Sequence, residues 1–157
     1  MKVNIVFSSV YGNTKEVANQ IAASLSDFFP KTINVVHVRD ASLLNCDLLI
    51  IGSPTHGGRA TSDILKFLNN LKEEEIKEKK VAVFDTRLEA TKQAFALKML
   101  MKVIGYAAPK MASYLKKKGA RVLAQAGFIV SDKTGPLDKN VEKEINLFVS
   151  QIKEGIK

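Results

Sequence analysis

The chain has 157 residues, with 24 Lys and Arg against 16 Asp and Glu and a single cysteine. That length suits one domain and can bury a core without staples, and no run approaches the roughly 18–20 apolar residues that a membrane-spanning helix needs. Cys46 cannot form an internal disulfide, and with His37 and His56 as the two histidines there is no soft-ligand cluster for zinc or iron.

The first apolar run, Val3 to Phe7, is short and β-branched and reads as a buried strand. The opening "MKVNIVFSS" has no small-residue cleavage site, so a cytoplasmic protein is expected. After "SSVYGNT" the apolar positions Val17, Ala18, Ile21, Ala22 and Leu25 recur at helical spacing, and Pro30 forbids continuation.

Thr32 to Val38 and Asp47 to Gly52 are β-branched or continuously apolar, as strands covered on both faces are. Cys46, at the edge of the second of these, is expected to be a small buried residue. Ile64, Leu65, Phe67, Leu68 and Leu71 mark a second helix, which gives way to the charged connector "KEEEIKEKK".

Lys80 to Thr86 is a fourth strand, and Ala120 to Val130 contains a fifth, expected to be interrupted around Gln125 to Gly127. Between them, residues 88–119 predict two helices split near Gly105 and Pro109. A last helix starts near Asp138, with Val141, Ile145, Leu147, Phe148 and Ile152 facing inward. Strands that alternate with helices imply a parallel sheet with right-handed crossovers and helices on both faces.

The charge is uneven. Residues 90–131 hold eight bases and no acid, and the remainder has 16 of each sign, so all of the +8 lies in one segment. Lys116, Lys117 and Lys118 before Gly119 suit a helix C-terminus. Lys92, Lys98 and Lys102 suggest a basic amphipathic helix that docks on an acidic partner or touches a membrane surface, over residues 90–118. Specific nucleic-acid binding is not expected, because no aromatics interleave with the bases and no reader motif is present.

In a doubly wound sheet the ligand lies beyond the carboxyl ends of the strands. Three loops leave such ends here: "SSVYGNT", "GSPTHGGRAT" and "FDTRLEA". In the first, Ser9, Asn13, Thr14 and a flexible Gly12 stand at a helix N-terminus, where unpaired N–H groups attract an anion. It lacks the lysine of NTP-binding loops, so a phosphate monoester fits better than a triphosphate. Turn and capping chemistry explains the same residues equally well at this point.

The spacing S-x-x-G-N-T from Ser9 to Thr14, "IIGSPTHGGR", "VFDTR" and "GFIVSDKTGPLDKN" together resemble the flavodoxins and flavodoxin-like FMN-binding proteins. The likeness spans the chain except about Leu88 to Pro109. It implies one domain over residues 1–157: a three-layer α/β/α sandwich on a five-stranded parallel sheet of order 2-1-3-4-5. It also implies non-covalent FMN, its phosphate held by Ser9, Val10, Tyr11, Gly12, Asn13 and Thr14. Ser53, Pro54, Thr55, His56, Gly57 and Gly58 would line one side of the ring, and Asp85, Thr86, Arg87 and Leu88 the other. Gly57 or Gly58 would turn a carbonyl toward the protonated N5 of the one-electron-reduced flavin, a backbone change that glycine tolerates.

The resemblance implies a small electron carrier between redox partner proteins. Two alternatives stay open: a flavin-dependent reductase or oxidase of quinones or porphyrinogens with residues 88–109 walling its pocket, and a flavin-free binding module. Flavodoxins clamp the ring between aromatic side chains and are acidic. This chain has no Trp, carries no Phe or Tyr on the second loop or beyond Phe84 on the third, and is basic. Tyr11 is the substitute; Phe95 and Tyr106 are expected in helix cores. The basic balance predicts a less negative potential for full reduction than in an acidic flavodoxin.

Overall fold

The computed structural model describes residues 1–29, 33–41, 45–89 and 95–157; Pro30, Thr32 and Lys92, invoked above, lie outside the described residues. The apolar runs form β1 (Val3–Phe7), β2 (Ile33–His37), β3 (Leu48–Pro54), β4 (Lys80–Leu88) and β5 (Arg121–Val130). They pair in parallel in the order β2-β1-β3-β4-β5, the expected topology. Between them run α1 (Asn13–Ser26), α2 (Ser62–Asn70), α3 (Glu73–Ile76), α4 (Phe95–Ile104), α5 (Ala107–Lys117) and α6 (Val141–Ile156).

Side chains alternate across each strand, so a strand covered on both faces must be apolar throughout. Val3, Ile5, Phe7, Leu48, Ile50 and Phe84 pack under α1 and α6. Val6, Leu49, Ile51, Val81 and Val83 pack under α2 and α5. The rings of Phe84, Phe128 and Phe148 meet edge to face, with centroids 5.8–6.4 Å apart. Cys46 is buried, as expected, and burial pushes its thiol above the usual range.

Several local expectations are corrected. The irregularity of β5 falls at Leu123, not at Gln125 to Gly127: Val81 and Ala82 face Val122 and Ala124, so Leu123 is the extra residue. The bulge lets Leu123 and Ala124 pack on the same face, with Leu123 against Gly155 of α6. Gly127 stays in the ladder opposite Asp85. The charged connector holds the one-turn α3, because Ile76 is fully buried beneath it.

The split in residues 88–119 falls at Gly105 (φ 76°), whereas Pro109 sits inside the first turn of α5, where a missing N–H costs nothing. Phe95, expected in a helix core, is 79% exposed, since α4 turns its 95, 99 and 103 positions outward. Tyr106 belongs to a loop instead of a core. Leu147 is 62% exposed: inward positions 141, 145, 148, 149 and 152 leave 147 on the far side of α6. Of the three C-terminal lysines, Lys118 reaches across to α2, donating to the carbonyls of Leu68 and Leu71.

On α6, Glu144 has a buried oxygen, Oε2, without a hydrogen-bond partner among the described residues. Burial, and secondarily Asp138, raise its pKa. A carboxyl whose folded pKa is raised stabilises the fold fully below its unfolded pKa and loses that contribution as pH rises through the folded value. Glu144→Gln is therefore expected to give a small gain in urea-unfolding stability at pH 7 that disappears near pH 4.

Candidate functional site

The carboxyl ends of β1, β3, β4 and β5 converge on a cavity of about 390 Å³, within the roughly 300–1,000 Å³ typical of cofactor sites. From the first loop, Ser9, Val10, Tyr11, Asn13 and Thr14 line it; from the second, Pro54, Thr55, His56 and Gly57; from the third, Thr86, Arg87 and Leu88. Four other expected residues do not line it: Gly12, Ser53, Gly58 and Asp85. Val130, Asp132 and Lys133 line it without having been anticipated. The rule that ligands gather beyond strand carboxyl ends applied to β5 as well, but "SDKTGP" reads from sequence as a simple turn before a helix.

The first loop crosses from β1 to α1 through Gly12, which adopts φ 95° at the N-cap. Ser9 Oγ accepts from the N–H groups of Gly12 (3.1 Å) and Lys15 (3.4 Å). Asn13 Nδ2 donates to the carbonyl of Lys133 (2.9 Å), tying this loop to the one after β5. The hydroxyls of Thr14 and Thr86 share a 2.8 Å hydrogen bond and are buried. Asn13 and Thr14 thus spend their side chains on the protein. Their backbone N–H groups, at the start of α1, have no acceptor among the described residues and remain for an anion.

The second loop is closed at its base by Ser53, whose Oγ accepts from Thr61 N–H (3.0 Å) and donates to the Pro54 carbonyl (2.9 Å). His56 and Arg59 pair antiparallel around Gly57 (φ 54°) and Gly58 (φ 73°). The two glycines differ in setting. A Cβ on Gly57 would meet nothing within 4 Å, whereas one on Gly58 would lie 2.0 Å from Ile104 Cγ2. Lys110 Nζ also holds the Gly58 carbonyl (2.7 Å) and that of Ile104 (2.6 Å). His37 packs edge-on against Phe7, with ring centroids 5.5 Å apart, a structural role as expected.

The second and third loops together seat α5. Ala107 N–H donates to Thr55 Oγ1 (3.0 Å) and Ala108 N–H to Asp85 Oδ2 (2.7 Å). With Pro109 lacking an N–H, the α5 N-terminus is satisfied by the protein and offers little to a ligand. Asp85, fully buried, also receives Arg87 Nε on Oδ1 (2.5 Å) and Nη2 on Oδ2 (2.7 Å). It is an anchor for Arg87 and α5 and not a cavity wall. The Arg87 guanidinium carbon lies 3.8 Å from the Tyr106 ring centroid.

A second cavity of about 220 Å³ lies between the Gly57–Gly58 turn and α4, lined by Leu100, Met101, Ile104 and Tyr106. It shares Thr55, Gly57, Arg87 and Leu88 with the first. Among the described residues no group of three metal-ligating side chains occurs, and no helix is long and apolar enough to cross a membrane.

A family model described as a flavodoxin domain matches residues 4–151. No curated protein matches the chain. Among solved structures, oxidised flavodoxin 1 from Bacillus cereus is 25% identical, with a TM-score of 0.68 over 98% of each chain. A flavodoxin from Streptococcus pneumoniae TIGR4 is 17% identical, with a TM-score of 0.72 over 98% of this chain and 99% of its own. Fusobacterium nucleatum flavodoxin bound to flavin mononucleotide is 18% identical, with a TM-score of 0.69 over 98% of this chain and 97% of its own.

Proposed function

We propose, from the premise that this chain belongs to the flavodoxin domain family, that it binds FMN in the main cavity and carries electrons between redox partner proteins as a single domain. The observation that carries this reading is the convergence of the three loops on one cavity at the N-terminus of α1. FMN supplies the electron chemistry there; the chain's residues bind it, orient it and exclude water.

The unspent N–H groups of Asn13 and Thr14 and the hydroxyl of Ser9 hold the phosphate, with Val10, Tyr11 and Gly12 shaping the loop. Pro54, Thr55, His56 and Gly57 line one side of the ring's place in the cavity, and Thr86, Arg87 and Leu88 the other, with the Arg87 guanidinium at the ring's edge. Ser53, Gly58 and Asp85 act from behind as supports. Of the two glycines, Gly57 is the one whose carbonyl turns toward the ring, since Gly58 is held by Lys110 and Ile104.

Partners are acidic on this reading, and they dock beside α4, where Phe95, Met99 and Val103 form an exposed apolar row next to Lys98 and Lys102. Such a face also suits a membrane surface. A cytoplasmic location fits a carrier of this kind.

The test is spectroscopic. FMN added to the flavin-free protein is expected to bind at micromolar or lower concentration, with quenched flavin fluorescence. No binding at that concentration would overturn the reading in favour of a flavin-free module. The enzyme reading has one observation behind it, the second cavity walled by residues 100–106. Turnover of NAD(P)H or a quinone by the FMN-loaded protein without a partner would favour it.

A further inference from the structure

We propose that Arg87 takes the place of the missing aromatic clamp: its guanidinium grips the edge of the flavin ring and favours the reduced, negatively charged form. This rests on the FMN reading above. Among the described residues that line the main cavity, the one aromatic besides His56 is Tyr11, and Tyr11 is 53% exposed at the rim. Arg87 is the planar group that the cavity wall holds still.

Three contacts hold it. Asp85 takes Nε and Nη2 in a two-pronged ion pair, the geometry that a guanidinium matches and an ammonium cannot. Tyr106 covers a face at 3.8 Å. Gly127 leaves room on β5, where a Cβ would lie 2.1 Å from the guanidinium carbon. Asp85 has no exposed surface and is itself fixed by the Ala108 N–H. Nη1 has no acceptor among the described residues, and Arg87 lines both cavities. One nitrogen therefore remains to donate to a ring oxygen or nitrogen.

Charge gives the arrangement a direction. Asp85 lies outside the cavity lining, so among the described residues the charged side chains that line the main cavity are Arg87 and Lys133 against Asp132. The Asp85–Arg87 pair presents its positive end to the ligand. A fixed cation close to the ring stabilises added electrons more than it stabilises the neutral oxidised ring, because the interaction scales with the charge that develops.

The experiment compares FMN affinities in the oxidised and the dithionite-reduced states for the parent chain, Arg87→Lys, Arg87→Gln and the double variant Asp85→Asn/Arg87→Met. The double variant removes both charges and so avoids leaving a buried carboxylate unpaired. The double variant and Arg87→Gln are expected to lose at least tenfold more affinity for reduced than for oxidised FMN. A tenfold loss confined to one electron step lowers that step's potential by 59 mV. Arg87→Lys is expected to keep most of that preference while binding both states more weakly. Equal losses in both states, or an unchanged potential in the FMN-loaded double variant, would overturn the proposal and leave the FMN reading intact. A parent chain that binds no FMN would overturn both.

Discussion

Gly127→Ala is expected to destabilise the protein by about 3–5 kcal/mol, the cost of stranding one member of a buried ion pair. An added Cβ would stand 2.1 Å from Arg87 Cζ, 2.2 Å from Nη2 and 2.3 Å from Nε. The backbone of β5 is fixed by its ladder with β4, so Arg87 must give way. Asp85, with no exposed surface, then keeps one of its three bonds, the N–H of Ala108. Urea denaturation of the flavin-free protein measures the loss, which for a domain of this size corresponds to a drop of roughly 10 °C in Tm. In an Asp85→Asn/Arg87→Met background the same change is expected to cost much less. A loss below about 1 kcal/mol in the parent chain would mean that Arg87 swings out without exposing its partner.

The two adjacent glycines of the second loop are expected to respond unequally. Gly58→Ala brings a Cβ to 2.0 Å from Ile104 Cγ2 and 3.0 Å from two backbone carbonyl oxygens, at φ 73°. Neither carbonyl can retreat freely, because Lys110 binds the Ile104 oxygen and α5 follows directly. Overpacking of about 1–3 kcal/mol adds to a left-handed strain of about 1 kcal/mol. Gly57→Ala meets open space and bears the strain alone. The expected losses are about 2–4 kcal/mol for Gly58→Ala and about 1 kcal/mol for Gly57→Ala, read from unfolding midpoints. Ile104→Ala should recover part of the former and none of the latter. Equal losses at the two positions would refute the difference in packing.

The layered architecture was legible in the sequence because it follows from local chemistry. Continuous apolar strands such as "DLLIIG" require cover on both faces, and helices with one apolar stripe provide it. The first loop was legible for the same reason, since a glycine and short polar side chains at a strand-to-helix turn announce an open helix N-terminus. Errors arose where the outcome depended on a neighbour distant in sequence. Gly127 looked like a break in β5 and is the space for Arg87. Leu147 fitted an apolar list but falls on the outer side of α6, and Phe95 fitted a core stripe on a helix whose outward positions nothing among the described residues covers.

Sequence alone determined the sheet, its layers and the three loops that would meet at its carboxyl edge, because periodicity and turn chemistry act over a few residues. Only the tertiary structure decided which residues of those loops face the cavity. The resemblance implies Asp85, Ser53 and Gly58 as ligand contacts, and in the structure burial obliges their polar groups to find partners inside the protein. Asp85 finds Arg87 and α5, Ser53 finds Thr61, and the Gly58 carbonyl finds Lys110. Those partners stand up to 52 residues away, at a distance no local pattern records.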